Sequence, residues 1–368
     1  MFYSKKIISL FLFIFLITFL TGCKVSFKGS DNDGANNGGI FVSLNQGEVW
    51  KQKTVFPTAS GIKSIAGLDV SVIYNDPNDA NTLYFGSIDN GLFYSYDHAA
   101  TWQLVKDLGK VTIRDLAIDP DEKCRIYVAI ANMVYRTEDC SRHWTKIYDA
   151  PDAVTKINHL AVDHYDTNKV YLSTSQGEIM QSFDRGENWQ TIGRFNKNIE
   201  KFAISPHDSR ILFVVTERKG VFRSFNRGEE WEDISEILIE EIPKAKKEKF
   251  KNIALSKAQE DLIFLIGEYA VFVSHDYGDT WEQMNLLATE TKQTINDFTV
   301  SAKSADELYY VSDTVFYRSL DMGKTWAAKK IITTRAGWRV LVNNENPNII
   351  YMGVKTSTKK KSSLPGLY

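Results

Sequence analysis

Six side chains of mixed charge occupy the same position in successive β-branched runs, and by type they are the residues best suited to chemistry. They are Asp115, His159, Lys201, Asn252, Asp297 and Arg339. Two carboxylates can act as general acid and base in glycoside hydrolysis when they stand about 5–10 Å apart. A ring of mixed charges can instead bind a partner through charge-assisted hydrogen bonds. Asp115 and Asp297 are therefore the pair to examine for catalysis, and the whole ring is the candidate binding face.

The sequence lacks the short motifs of common enzyme classes. It contains no HExxH, GxSxG or CxxC motif and no glycine-rich phosphate loop. The five histidines other than His159 are scattered through predicted turns, so the sequence predicts no metal site and no cofactor. A net charge of −2 shows none of the basic excess that indicates nucleic acid binding.

An eight-residue phrase occurs seven times and must organise the elements that position these side chains. Ser or Thr opens it, Asp or Asn holds its third position, and Trp closes it at intervals of 42 to 52 residues. A period in this range predicts a propeller or a solenoid. The first, third and eighth residues of the copies are Ser43, Asn45 and Trp50; Ser95, Asp97 and Trp102; Thr137, Asp139 and Trp144; Ser182, Asp184 and Trp189; Ser224, Asn226 and Trp231; Ser274, Asp276 and Trp281; Ser319, Asp321 and Trp326.

The composition of the phrase predicts a tight hairpin turn. A short hydroxyl side chain followed two residues later by Asp or Asn can bond the backbone N–H groups of a turn. Gly at the fifth position supplies the positive φ that such a turn needs, and only Ala99 and Ser141 replace it, which predicts two looser hairpins. Three strand-like runs precede each phrase after the first. One unit is therefore a four-stranded antiparallel blade with the phrase between its third and fourth strands.

The phrase S-x-D-x-G-x-x-W resembles the Asp-box, or BNR repeat, of sialidases, xyloglucanases, sortilin-type receptors and photosystem II assembly-factor propellers. The resemblance covers residues 39–368 and implies an all-β, seven-bladed β-propeller. It also implies that the Asp-box is a structural hairpin on the face away from the ligand. The favoured function is a non-catalytic scaffold that binds a protein or peptide on the opposite face, and the alternative is a carbohydrate-active or glycan-binding propeller.

Two departures from those families weigh against an enzyme. The Arg-Ile-Pro phrase of sialidases is missing, and the innermost strands offer only Arg114 and Arg339 where sialidases use three arginines. Xyloglucanases resemble this repeat but bind their substrate between two propellers, and only one fits this chain.

The two ends of the repeat region complete each other. Six whole units run from about residue 70 to residue 330, a seventh begins near Trp338 without its own phrase, and residues 39–53 carry a phrase without preceding strands. We therefore predict that N-terminal strands complete the C-terminal blade, which removes exposed sheet edges. Residues 39–42 and residues 365–368 both resemble its third strand.

The N-terminal residues indicate export and lipid attachment. A basic start and a fourteen-residue apolar stretch over residues 7–20 fit a signal peptide. Leu20-Thr21-Gly22-Cys23 resembles a bacterial lipobox, which implies cleavage after residue 22 and a diacylglycerol on Cys23; an ordinary secretory signal is the alternative. Residues 23–38 would form a flexible tether. The sequence thus predicts an extracytoplasmic, membrane-anchored, monomeric protein, and Lys24 favours an outer membrane where the cell has one.

The other two cysteines fall in one blade. Cys124 lies on its first hairpin and Cys140 lies inside its Asp-box, and strand alternation places both hairpins on the same edge of the sheet. Outside the cytoplasm this pair is expected to form a disulfide worth about 3 kcal/mol, with two free buried thiols as the alternative.

Further features belong to the predicted binding face. Trp338, the one tryptophan outside the repeat, is either an exposed anchor beside Arg339 or a residue packed between blades. Extra loop length on one face of a propeller usually serves binding, and the two long connections are residues 51–68 and 235–251. Tyr269, the Arg218-Lys219 turn and the lysines at 359–361 also fall on this side.

Overall fold

The four-strand periodicity produces seven separate antiparallel sheets. A computed structural model describes residues 37–217, 220–287 and 293–357 of the chain. Each sheet has four strands, and each innermost strand packs against the innermost strands of the two neighbouring sheets, so the sheets form a closed ring. The predicted seven-bladed β-propeller is confirmed.

The strands follow the chain in order through six blades. Their bounds are Val70–Asp76, Asp79–Ser87, Leu92–Ser95 and Gln103–Leu104 in blade 1; Ile113–Ile118, Ile126–Ile130, Met133–Thr137 and Thr145–Asp149 in blade 2; Ile157–Val162, Val170–Thr174, Glu178–Ser182 and Gln190–Arg194 in blade 3; Ile199–Ile204, Leu212–Thr216, Val221–Ser224 and Glu232–Asp233 in blade 4; Asn252–Leu255, Ile263–Ile266, Val271–Ser274 and Glu282–Gln283 in blade 5; Asp297–Val300, Leu308–Val311, Val315–Ser319 and Ala327–Lys330 in blade 6.

Blade 7 is built from both ends of the repeat region. Its inner strands are Ala336–Val342 and Ile350–Lys355, and its outer strands are Ile40–Ser43 and Trp50–Lys53. Ile40–Ser43 pairs antiparallel with both neighbours, with Ile40 opposite Gly353 on one side and Lys53 on the other. The N-terminal segment therefore takes the third-strand position, and the competing segment at residues 365–368 lies outside the described residues.

The Asp-box turns share one hydrogen-bond pattern in all seven copies. The hydroxyl oxygen of the first residue accepts the N–H of the fifth at 2.7–3.1 Å. The side-chain oxygen of the third residue accepts the N–H of the seventh at 2.8–2.9 Å. Ala99 and Ser141 adopt φ values of 67° and 68° and keep their bonds at 3.0 and 3.1 Å. The turn survives without Gly, at the steric cost of a Cβ in the left-handed region.

The predicted disulfide is present in blade 2. Cys124 and Cys140 are bonded across 16 residues, with their Cα atoms 4.1 Å apart. This bond fastens the first hairpin of the blade to its Asp-box, the turn in which Ser141 replaces Gly.

The two long connections pack against Asp-box tryptophans. In the first, the hairpin strands Val55–Thr58 and Gly61–Ser64 lie beside blade 1, where Val55 accepts the backbone N–H of Trp102 at 2.9 Å. The second contains the helix Ser235–Glu241 and the 3₁₀ turn Pro243–Lys247. There the Glu241 carboxylate accepts the N–H of Trp281 at 2.6 Å. Each connection covers the Trp of the blade that follows it, and the expectation that its extra length also serves binding stays a prediction.

The Asp-box tryptophans are not equally buried. The two covered residues, Trp102 and Trp281, are 0% and 5% exposed, and Trp50 is 6% exposed because it packs against Phe316 of the neighbouring blade. The others are half-buried: Trp144, Trp189, Trp231 and Trp326. The same phrase therefore contributes different amounts of stability in different blades.

We predict that Trp102→Ala lowers the free energy of unfolding by about 3–5 kcal/mol, because it leaves a large cavity against Phe85 and the covering hairpin. Trp144→Ala should cost clearly less, since its ring is already partly in water. Urea unfolding of the two variants measures both. Equal losses would contradict the proposed role of the hairpin.

Candidate functional site

The innermost strands of all seven blades surround one cavity of about 580 Å³. Its size falls within the usual range of ligand-binding cavities. All six residues of the predicted ring line it, and Trp338 lies at its wall. One register position per blade thus converges on a single space.

Asp115 is the most deeply buried member of the ring, with 3% of its surface exposed. One oxygen accepts the hydroxyl of Tyr74, and the other accepts the backbone N–H of Leu160 at 2.8 Å and lies 3.5 Å from Nδ1 of His159. Burial acts to raise the pKa of Asp115, but the hydrogen bond and charge of His159, the charge of Lys201 and the Tyr74 hydroxyl outweigh it, so the pKa is lowered. The carboxylate is held ionised and has no free oxygen.

His159 links three blades. Its Nε2 lies 2.7 Å from the carbonyl oxygen of Glu200 in blade 4, while Nδ1 faces Asp115 in blade 2. These contacts hold the imidazole of His159 in place. The side chain thus has a structural role, although its residue type alone makes it a catalytic candidate.

Asp297 occupies the equivalent position in blade 6 but has fewer partners. Its Oδ2 accepts the backbone N–H of Val340 in blade 7 at 3.0 Å. Burial raises the pKa of Asp297, and the charge of Arg339 only partly opposes this. Both carboxylates therefore bind the backbone of the next blade, and their pKa values are displaced in opposite directions.

Cationic side chains line the same cavity. Lys201, Lys251, Lys257 and Arg339 form no ion pair with a carboxylate of the described residues. Burial lowers the pKa of Lys251 and of Lys257, and the charge of Glu268 partly offsets it at Lys251. Lys257 nevertheless keeps more than a third of its surface open, because it projects into the cavity from surrounding protein. These charges are exposed to a ligand rather than neutralised internally.

Arg114 serves the ring itself. Its Nε donates to the carbonyl oxygen of Ile157 at 2.8 Å and its Nη2 to Asn158 at 2.6 Å. Ser71 of blade 1 donates in the same way to the carbonyl oxygen of Ile113 in blade 2, and Asn296, just before the innermost strand of blade 6, donates to that of Gly337 in blade 7. Polar side chains at the start of these strands therefore tie adjacent blades together.

Trp338 is half-exposed and stands between two cations. The guanidinium carbon of Arg339 lies 4.8 Å from its ring centroid and Lys355 Nζ lies 4.3 Å from it. The indole also lines a second cavity of about 200 Å³, together with Asn296, Lys355 and Thr356. Neither alternative expected for this residue, an open anchor or an inter-blade filler, describes it fully; it is a wall shared by two cavities.

Several cavity residues were not found by sequence reasoning. Lys251 and Lys257 flank the innermost strand Asn252–Leu255, and Lys355 ends a second strand, so none of them occupies the aligned register position. A search of the flanks of each innermost strand would have found the first two.

The remaining predicted features fall elsewhere. Asn252 lines the cavity with an amide oxygen that has no partner among the described residues. Tyr269 does not line it, and its backbone N–H donates to Glu248 at 3.0 Å. Cys23, Arg218, Lys219 and residues 359–361 lie outside the described residues.

The described residues contain no group of three His, Cys, Asp or Glu side chains placed to hold a metal ion. Within the same ranges, no helix has the length and apolar character needed to cross a bilayer.

Comparison with known proteins finds similarities in sequence. A family model described as sortilin, neurotensin receptor 3 (Sortilin-Vps10) matches residues 219–365. A xyloglucanase from Paenibacillus sp is 27% identical over 181 residues, which are 42% of this chain and 17% of that protein. The chain therefore matches well under a fifth of that relative's length.

Solved structures are similar in fold at low identity. A structure of YCF48 bound to D1 peptide has a TM-score of 0.60 at 15% identity and covers 78% of this chain and 93% of that one. YCF48 from Cyanidioschyzon merolae has a TM-score of 0.61 at 12% identity, covering 78% and 95%. The GH74 xyloglucanase from Xanthomonas campestris has a TM-score of 0.64 at 15% identity, covering 78% and 51%. The resemblance to sortilin-type and assembly-factor propellers is confirmed, and at these identities it establishes the fold alone.

We predict that Asp115→Asn and Asp297→Asn change thermal stability at pH 7 in opposite directions. Because folding lowers the pKa of Asp115, its carboxylate stabilises the folded protein at pH values above its unfolded pKa of about 3.9. This stabilisation is lost as the pH falls through the folded pKa. Asp115→Asn should therefore have a lower melting temperature at pH 7. Because folding raises the pKa of Asp297, its protonated carboxyl group stabilises the folded protein at pH values below its unfolded pKa of about 3.9. This stabilisation is lost as the pH rises through the folded pKa. Asp297→Asn should therefore have a higher melting temperature at pH 7.

Melting curves at pH 7 and pH 4 test this, and the gain from Asp297→Asn should shrink at the lower pH. Equal destabilisation by both variants at both pH values would contradict the assignment.

Proposed function

We propose that this chain is a non-catalytic recognition propeller that binds a peptide segment of a partner protein in the central cavity, through the face opposite the Asp-box hairpins. One observation carries the proposal. The two carboxylates that could perform acid–base chemistry hold the backbone N–H groups of Leu160 and Val340, whereas the cations and Trp338 beside them have no carboxylate partner in the described residues. The site is therefore better suited to ligand binding than to proton transfer.

Trp338 has the properties of a binding anchor. Its half-exposed indole offers apolar area with little conformational entropy to lose, and Arg339 and Lys355 are held against its faces. An aromatic ring flanked by fixed cations can pack against a peptide side chain while the cations bond to its carbonyl or carboxylate oxygens.

The comparisons support a peptide ligand. A propeller of similar fold that covers nearly the same length is described as bound to a D1 peptide. At 15% identity this is support by analogy of fold, and the residues of the cavity supply the argument for this chain.

We further propose that the propeller is held outside the cytoplasm by lipid on Cys23. The described chain begins at residue 37, where Thr333 donates to the carbonyl oxygen of Asn37 at 2.6 Å and Gly38 donates to Ala66 at 2.6 Å. These contacts are in connections between an outer strand and the next innermost strand, on the side away from the Asp-box turns. A tether ending there would carry the cavity face toward the membrane.

A carbohydrate-active propeller is the second candidate, favoured by the xyloglucanase match and by the opposed pKa displacements of Asp115 and Asp297. We predict that the purified protein releases no reducing sugar from xyloglucan or from a panel of other glycans. Because Asp115 has no free oxygen, it is poorly placed to attack a sugar or activate water. Release of sugar that the variant Asp115→Ala, Asp297→Ala abolishes would replace the scaffold function with a hydrolase.

We predict that the full chain selects peptides from a random display library and that Trp338→Ala weakens binding of the selected peptides at least about tenfold, as expected for loss of an aromatic anchor. Trp144→Ala is the matched control, because this half-buried Trp lies in an Asp-box, and it should leave affinity unchanged. Fluorescence anisotropy measures both after melting curves have shown that each variant is folded. Failure to select any peptide, or equal losses in the two variants, would refute a peptide site in this cavity.

A further inference from the structure

The carboxylates of the cavity are hydrogen-bonded, whereas most of its cationic side chains have no ion-pair partner among the described residues. Among the described residues, five cationic side chains and three carboxylates line it. Each carboxylate is already engaged: Asp115 and Asp297 by the contacts above, and Glu200 by the amide of Asn198 at 2.7 Å. The chain as a whole carries a net charge of −2, so the cationic excess is a local property of this site.

The free cations are distributed along the depth of the cavity. Lys251 precedes the innermost strand of blade 5 and Lys257 follows it, so six residues of nearly extended chain separate them, or about 20 Å. Lys201 lies between these levels on blade 4, and Arg339 on blade 7. Beyond Trp338, Lys355 continues the cationic series into the second cavity.

We propose that the ligand of this cavity is an acidic peptide segment, extended over about six residues and carrying several Asp or Glu side chains. This inference rests on the proposed peptide-binding function and adds the ligand's chemical class. Carboxylates spaced along an extended strand would meet cations at successive depths, whereas a basic segment would meet like charge.

The electrostatic environment agrees with this ligand. Burying a lysine that has no ion-pair partner costs desolvation energy, and a carboxylate of the ligand offsets that cost. The low dielectric of the cavity strengthens the attraction. Arg114 is bonded to the neighbouring blade and contributes background charge rather than a direct contact.

The test compares three synthetic hexapeptides with capped ends, in which Ala alternates with Glu, Gln or Lys. Binding to the full chain is measured by fluorescence anisotropy at 50 and 300 mM salt. We expect the Glu peptide to bind at least about tenfold more tightly than its Gln counterpart and to weaken with salt, and the Lys peptide to bind least.

Variants locate the effect. Lys201→Gln combined with Lys257→Gln should weaken the Glu peptide at least about tenfold, because both charges face the ligand in a partly desolvated space. Lys123→Gln combined with Lys324→Gln removes the same charge from exposed positions that do not line the cavity, and it should leave affinity within about twofold. Melting curves of both double variants identify any loss of fold.

The outcomes separate this inference from the function on which it rests. Selection of neutral peptides by the library, with the Glu and Gln hexapeptides binding equally, would overturn the acidic ligand and leave peptide recognition standing. Absence of all peptide binding would overturn both. Tighter binding of an acidic polysaccharide such as polygalacturonate than of the Glu peptide would overturn the peptide class while keeping the anionic character of the site.

Discussion

Closure of the ring by the strand Ile40–Ser43 is the constraint on which the rest of the structure depends. It is hydrogen-bonded to Ile350–Lys355 on one side and Trp50–Lys53 on the other, so blade 7 has no gap. Only in a closed ring do seven innermost strands face a common axis. The charged residues of those strands are distant in sequence and meet nowhere else.

The same closure explains the dual use of the buried carboxylates. Packed innermost strands leave few partners for backbone N–H groups at the junctions between blades, and an orphaned buried donor is costly. Asp115 and Asp297 satisfy Leu160 and Val340 across two of these junctions. A propeller that uses its axial carboxylates in this way keeps its shape but gives up the free oxygens that hydrolysis needs. Of the cations near them, Arg114 also bonds to the next blade, whereas Lys201 and Arg339 make no such bond within the described residues.

The sequence predicts the architecture well because the Asp-box is a local motif: hydroxyl, carboxylate and turn lie within eight residues, and their bonds recur in every blade. The ring of six polar residues is predictable for a related reason, since one register position per blade leads to the axis. The register position does not predict Lys251, Lys257 or Lys355, because they lie at strand flanks or on a second strand. The sequence also does not predict the burial of Trp102 and Trp281. Their burial depends on a separate connecting segment, and the Asp-box sequence is the same whether or not such a segment covers its Trp.

The strand that closes the ring also fixes the order in which the protein can fold. Ile40 must wait for Gly353, more than three hundred residues later, so blade 7 cannot form until nearly all of the described chain has left the ribosome or crossed a membrane. Blades 1 to 6 are contiguous and can assemble one after another as the chain emerges. Throughout that interval the first described strand can pair only with the nearby Trp50–Lys53, and its other edge stays unpaired and open to a chaperone or a neighbouring chain. Late closure thus makes the N-terminal strand the point at which assembly of this propeller is most open to assistance and to error.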